Sequence, residues 1–389
     1  MNFIFAFASF SLVFAAVFGI PETCFSDYPK QYVAYKLLPG ESIDLDGRLD
    51  EPAWTNVAPM GELDSLMGPA SKSKPYLSTI SRMRWDENCL YVGAYLEEPQ
   101  AWVNHTEENT ALYKDNDYEV FVDVGGSSFA YKEHEVNALN VRWNLLMVRP
   151  YLDGGPAVCV SSDPTLCSKA APEQGIVEPW DIRNTWKTAV AVYGGKVNDP
   201  DHGTKAWSVE MCLPMKDMLK YTNANVPKAG DYWKINVMRV QWHVHKEVIG
   251  GKAIYVKDQG VPCGNWGWQP TGVENVHLPD RWGYVQFAQG EINKTSSVRD
   301  PYYIVRRTLR AIYESEKSYL GMYQRGYTDN VKELMISAFL DENFIQSCGV
   351  KDISISLNDD STKFVATVTD VNGIKGSITQ DRHTTLPNY

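Results

Sequence analysis

The segment Asp117-Tyr118-Glu119-Val120-Phe121-Val122-Asp123 sets three carboxylates, Asp117, Glu119 and Asp123, among apolar residues at even spacing. Alternate side chains of an extended strand share a face, so all three project from one side. Apolar packing would not select that face. A hard cation such as calcium would, because it takes several oxygen ligands at once; a solvated strand face, or hydrogen bonds to neighbouring loops, is the other reading. His243 and His245 are also two residues apart, the minimal spacing of a transition-metal pair. No third ligand is assignable to them. The chain contains no G-x-S-x-G elbow, Walker loop, H-E-x-x-H helix or G-x-G-x-x-G fingerprint, so catalysis has no positive signal.

Strands must position these residues. From Gln31 to about Ala288 the apolar residues recur with period two rather than 3.6. Tyr76 to Trp85 and Cys89 to Glu97, joined by Asp86-Glu87-Asn88, read as a β-hairpin. The pattern repeats over Asp117 to Asp123, Glu133 to Leu139, Val141 to Val148, Trp186 to Tyr193, Ala206 to Leu213, Tyr232 to Trp242 and Arg281 to Ala288. Many short strands with one brief helix, Pro214 to Tyr221, predict a mainly β chain: a two-sheet antiparallel β-sandwich of immunoglobulin-like or jelly-roll type. The polar connection Leu152 to Asp181 is expected at the surface.

After Gln289 the period changes. Asp300 can cap a helix with Pro301 at its first position, and Val305, Leu309, Ile312, Leu320 and Tyr323 recur at helical spacing until Gly326. A second helix is expected from about Asp329 to Leu340. Strands follow at Ile353 to Leu357, Lys363 to Thr369 and Ile374 to Thr379, the last two joined by the hairpin pair Asn372-Gly373. The expected organisation is a leader at 1–19, a sandwich at 20–290 and a small α+β unit at 299–389.

The leader reading rests on an apolar run from Phe3 that ends before Pro21, with Val17 and Gly19 placed as a signal peptidase requires. It implies a secreted, extracellular protein with no membrane span after cleavage. Asn104-His105-Thr106 and Asn293-Lys294-Thr295 are compatible glycosylation acceptors at Asn104 and Asn293. Seven cysteines without a C-x-x-C pair or zinc spacing suit disulfides in an oxidising compartment. Cys159 and Cys167, flanking a short loop, are the expected pair. With 37 Lys plus Arg against 48 Asp plus Glu, the net charge of -11 repels phosphate backbones and disfavours nucleic acid as a partner.

Several segments, in order, resemble the family 9 carbohydrate-binding modules. Ile43-Asp44-Leu45-Asp46-Gly47-Arg48-Leu49-Asp50-Glu51-Pro52-Ala53-Trp54 is similar to the family's opening D-G-x-L-D-E-P-A-W, and Trp85-Asp86-Glu87-Asn88-Cys89-Leu90-Tyr91-Val92 to its W-D-E-x-x-L-Y-V hairpin. Asn116 to Asp123 resembles its D-D-x-x-E-x-F-x-D strand, Trp207-Ser208-Val209-Glu210 through Pro214 its W-x-V-E-x-x-I-P, and Trp268-Gln269-Pro270-Thr271-Gly272 with Trp282-Gly283 its closing motifs. The resemblance spans about Ile43 to Phe287. It implies a β-sandwich, glycan or oligosaccharide binding, and structural calcium.

A pyranose offers an apolar face and a rim of hydroxyls, so its site needs flat aromatic surface and polar partners. The resemblance implies an aromatic clamp on a terminal sugar. Its first position falls near Tyr113; its second falls at Val276, which is not aromatic. Trp266 and Trp268 are expected to replace the second aromatic, with Trp102 and Trp242 as further candidates. Val276 equally favours a structural protein that has lost the sugar site. Relatives appended to glycoside hydrolases suggest a third reading, hydrolysis by two carboxylates at a defined separation. Related haem domains suggest a fourth, with Met238 or Met147 beside a histidine on iron, although no Cys-x-x-Cys-His motif occurs. The leading expectation is non-catalytic glycan recognition by aromatic stacking.

Overall fold

The computed structural model describes residues 20–387; the expected leader at 1–19 lies outside them. In chain order the strands are β1 (Gln31–Lys36), β2 (Asp64–Ser65), β3 (Thr79–Trp85), β4 (Cys89–Glu97), β5 (Asp117–Asp123), β6 (Tyr131–Asn137), β7 (Arg142–Met147), β8 (Ala157–Val158), β9 (Lys187–Tyr193) and β10 (Ala206–Pro214). Then come β11 (Tyr232–Gln241), β12 (Val244–Ile249), β13 (Lys252–Lys257), β14 (Gly264–Gly267), β15 (Gly283–Ala288), β16 (Val350–Leu357), β17 (Phe364–Asp370), β18 (Lys375–Thr379) and β19 (Thr384–Thr385). The α-helices are α1 (Pro52–Thr55), α2 (Met215–Leu219), α3 (Tyr303–Tyr323), α4 (Val331–Leu334) and α5 (Glu342–Ser347).

The hydrogen-bonded path β8-β7-β6-β5-β11-β15-β1-β3-β4-β10-β9 curls into a β-sandwich. Tyr118, Val120 and Val122 of β5 and Ile235 and Val237 of β11 share one core with Leu90, Val92, Ala94 and Leu96 of β4 and Trp207, Val209 and Met211 of β10. The layers remain joined because β11 pairs with β15 through Tyr232 to Ile235 and with β14 through Met238 to Gln241. The antiparallel expectation needs one correction: β1 pairs in parallel with both β15 and β3. Parallel neighbours need long connections, and β1 is far in sequence from β15 and separated from β3 by an extended loop.

β4 and β5 fall at the expected residues, whereas β6 begins and ends two residues early. The side chain of Asn137 accepts from the amides of Leu139 and Val141, so residues 138–140 form a turn. In the tail, α3 starts later than Asp300 implies, although the Asp300 carboxylate accepts from the Tyr302 amide at 2.9 Å. The expected second helix shortens to α4, and α5, capped by Asp341, follows it. Val305, Leu309 and Ile312 of α3 pack on Ala366, Val368 and Ile378 of the four-stranded tail sheet.

Three disulfides join Cys24 to Cys348, Cys89 to Cys212 and Cys159 to Cys167, with Cα separations of 5.5, 5.3 and 5.7 Å. The first ties the arm before β1 to the tail. Arg382, buried in the tail, reaches Asp153 and Asp280 of the sandwich at 2.9 and 3.0 Å. Among the described residues no helix is long and apolar enough to cross a membrane.

Candidate binding cavity

Strand alternation gives β5, β6 and β7 a second face, turned away from the sandwich core. On β6 this face carries Glu133 and Glu135, while Lys132, His134 and Val136 point to the other side. Register then sets Glu119 of β5 directly opposite Glu135, flanked by Trp143 of β7 and Met238 of β11. Glu133 stands opposite Phe121 and Leu145 in the next row. Above these rows lies a cavity of about 630 Å³ whose walls include Tyr113, Trp143, Tyr151, Trp242, Val276 and His277. Thr165 and Leu166, held in the Cys159–Cys167 loop, and the unbridged Cys263 also line it.

The acids form the floor. One oxygen each of Asp117, Glu119 and Glu135 lies within 4.8 Å of the others. All are buried, and among the described residues Oε2 of Glu119 has no hydrogen-bond partner. The backbone amide of Tyr113 donates to Glu135 at 3.1 Å. Burial first, then the neighbouring carboxylates, holds Asp117, Glu119 and Glu135 well above the usual carboxylate range, and burial pushes Glu133 up to about 7. Burial also pushes His277 down to about 4. Among the described residues no Lys or Arg lines the cavity. Asp123 does not join the group: its carboxylate accepts from the amides of Ser127 and Ser128 at 3.3 and 2.8 Å.

Of the five aromatic candidates, Tyr113 and Trp242 line the cavity. Tyr113 is 41% exposed, and its ring stacks on Trp143 at 6.2 Å. Trp242 donates from Nε1 to the Tyr113 carbonyl at 2.9 Å, and Lys257 covers one face of its indole at 3.0 Å. Trp266 and Trp268 are corrected to core residues, 1% and 0% exposed. Alternation along β14 explains Trp266, since Asn265 faces the cavity and its neighbour must point away. Trp268 donates to the Met60 carbonyl at 2.7 Å and lies so close to Gly283 that a Cβ there would stand 2.3 Å from its ring. Trp102 is half-buried outside the cavity, 5.9 Å from Lys257.

The histidines remain apart from this site. His245 pairs with Asp258 and Glu247, and the ring of His243 stacks on Tyr76 at 5.4 Å. Among the described residues neither joins a group of three ligand atoms. Met238 lines the cavity and Met147 is fully buried on the same side of the sheet. Asn104 and Asn293 are exposed, with the Asn293 side chain donating to the Asn56 carbonyl at 2.9 Å.

Sequence reasoning missed Glu133, Glu135, Trp143 and Tyr151. The signal was available in Tyr131-Lys132-Glu133-His134-Glu135, where alternation puts both acids on one face. Pairing with β5, which brings that face to Glu119, is not written in either strand alone.

The motifs cited above also meet in space. Glu210 Oε2 accepts from the amides of Asp46 and Gly47 at 3.0 and 2.7 Å, and Oε1 from Trp54 Nε1 at 2.8 Å. At Gly47, φ is 88° and a Cβ would approach the Val190 backbone to 2.4 Å. Asp86 accepts from the amides of Asn88 and Cys89, which closes the β3–β4 turn.

Residues 45–151 match the family described as Carbohydrate family 9 binding domain-like. A family 9 carbohydrate-binding module from Caldicellulosiruptor kristjanssonii in complex with cellotriose is similar over 70% of this chain and 100% of its own, at 12% identity and a TM-score of 0.38. The same organism's module in complex with glucose gives 69% and 100%, 13% identity and a TM-score of 0.37. A putative carbohydrate-binding protein from Bacteroides uniformis gives 67% and 99%, 16% identity and a TM-score of 0.43. A search of curated proteins gives no match. Residues 45–151 of this β-sandwich thus carry a match to the carbohydrate family 9 binding domain-like family.

Proposed function

We propose that the protein is a secreted, non-catalytic carbohydrate-binding protein and that the cavity over β5, β6 and β7 receives a terminal sugar. The observation that carries this reading is the pairing of exposed aromatic surface with buried acceptors in one cavity. Tyr113, Tyr151 and the uncovered face of Trp242 supply flat apolar area, and Glu119, Glu133 and Glu135 supply oxygens for hydroxyl donors. The acidic walls disfavour uronates and sulfated sugars. Three disulfides support an extracellular setting.

The test is calorimetric titration of the secreted protein with a panel of neutral mono- and disaccharides. Tyr113→Ala and Trp242→Ala should each weaken binding by about thirtyfold, the cost of a truncated hot-spot aromatic of about 2 kcal/mol. Absence of binding across the panel, or variants that bind like the wild type, would leave the structural reading in its place.

A further inference from the structure

We infer that the cavity selects a hexosamine with a free ammonium group, held jointly by buried carboxylates and aromatic walls. This deepens the proposed carbohydrate function and rests on it. Four carboxylates, Glu119, Glu133, Glu135 and Glu274, line the cavity, and among the described residues no Lys or Arg does. The first three are at most 5% exposed, so water screens them little, and an unpaired buried charge is costly. The hydroxyls of a neutral sugar can be met by Asn265, Asn275 and Thr165 in the same walls. None of those groups supplies the positive charge that the acids lack. His277 does not either: its Nδ1 lies 3.1 Å from the Tyr131 hydroxyl, and burial pushes its pKa down to about 4. Lys257 sits over one face of Trp242 and donates to the Lys114 carbonyl at 3.2 Å, outside the lining.

Two unpartnered groups narrow the ligand. Glu119, 1% exposed, lacks a donor for Oε2, and Trp143, 3% exposed, lacks an acceptor for Nε1; both residues line the cavity. A bare cation answers the first and not the second. A sugar carrying an ammonium answers both, because its N–H groups donate to Glu119 while a hydroxyl or ring oxygen accepts from Trp143. A primary ammonium places three donors on a compact charge, which suits Glu119, Glu133 and Glu135, and charge-assisted hydrogen bonds are about twice as strong as neutral ones. A quaternary ammonium has no N–H to give. Glu133 and Glu135 hydrogen-bond to each other, which two carboxylates do only around a shared proton; the ammonium takes that proton's place and the proton leaves to water. The ring's apolar face then lies on Tyr113, Tyr151 or the uncovered face of Trp242, and an aromatic face attracts the cation as well.

The experiment titrates the full secreted protein, in chelator at about pH 7, with glucosamine, galactosamine and mannosamine, each beside its parent hexose. At that pH an amine of the α-amino type is mostly charged, and each pair differs only by an ammonium in place of one hydroxyl. At least one hexosamine should bind tenfold or more tighter than its parent, and its N-acetyl derivative should lose that advantage. Glu119→Gln and Glu135→Gln, which keep an oxygen and the shape, should each bring the ratio close to one; cooperative thermal unfolding shows that they fold. Cyclohexylamine, a ring with the charge and no hydroxyls, should bind at least tenfold more weakly than the preferred hexosamine. A hexosamine bound where its parent is not would sustain the inference. Equal affinity of every hexosamine and its parent would overturn it and leave the carbohydrate reading standing. A preference that persists in both folded variants, or cyclohexylamine bound as tightly as the hexosamine, would overturn it too. Binding of none of these sugars would remove both readings.

Discussion

Lys132 offers a test of how the two faces of β6 divide their work. While Glu133 and Glu135 face the cavity, Lys132 turns inward, 0% exposed, and its Nζ donates to the carbonyls of Met218 and Lys220 at 2.7 and 2.8 Å. Burial lowers its pKa from 10.5 to about 7, against the opposing pull of Asp123 and Asp217. A lysine depressed in the folded state contributes stability that is fully present above its unfolded pKa and lost as pH falls through its folded pKa. Between pH 7 and 9.5 the wild type should therefore gain about 3 kcal/mol that Lys132→Met, of similar length and no charge, cannot gain. Removing the ammonium also strands two carbonyls, but that cost does not change with pH. The assay is urea unfolding of both proteins, followed by tryptophan fluorescence, at half-unit steps across the window. Subtraction cancels Lys234, which burial also pushes down to about 7. A difference that stays flat within about 0.5 kcal/mol would show that Lys132 titrates normally, and the argument from burial would fail.

Two further substitutions probe the core and the join to the tail. Arg382→Ala should cost about 3–5 kcal/mol, because it removes the buried cation that Asp153 and Asp280 share and leaves Asp153 only the more distant Lys317 at 3.7 Å; a loss below about 1 kcal/mol in denaturant titration would mean that this contact does not fasten the tail. Trp268→Ala should lower stability by about 3–5 kcal/mol as a buried aromatic does, and equal stability with lost sugar affinity would restore it to the binding site.

The strands were legible wherever one face is apolar and the ends are punctuated. β4 begins after the Asp86 turn and β5 runs from the loop that Asp115 organises, accepting from the amides of Asn104 and His105. β12 and β13 were not, because five of the six residues of β12 are exposed and no alternation marks them. The tail sheet was readable from Asn372-Gly373, yet α4 is a single turn because tertiary packing rather than propensity decides such short helices. For the site, the acids of β5 and the Cys159–Cys167 loop could be read locally, whereas the Tyr113 position was implied by the family resemblance. Trp266 and Trp268 could not be sorted from surface aromatics, since Gly-Asn-Trp-Gly-Trp has no apolar neighbours to set its phase. Only pairing with β11 fixes which side Trp266 takes.

The two faces of β5 and β6 bear on the proposed role of the acids. On β5 and β6 the core is closed by Tyr118, Val120, Val122 and Val136, all on the face opposite the cavity. Asp117, Glu119, Glu133 and Glu135 therefore contribute nothing to that core, and their raised pKa values mark them as groups the folded state strains to ionise. Apolar residues at these positions would join Phe121, Leu145, Met238 and Val240, which already pack together on the same side. Such a face would be more stable and would lack every oxygen acceptor on its floor. Sites that trade stability in this way are characteristically functional. The carboxylates thus stand where the fold alone does not need them and where the proposed sugar site would, beside Tyr113, Tyr151 and Trp242 in the same cavity.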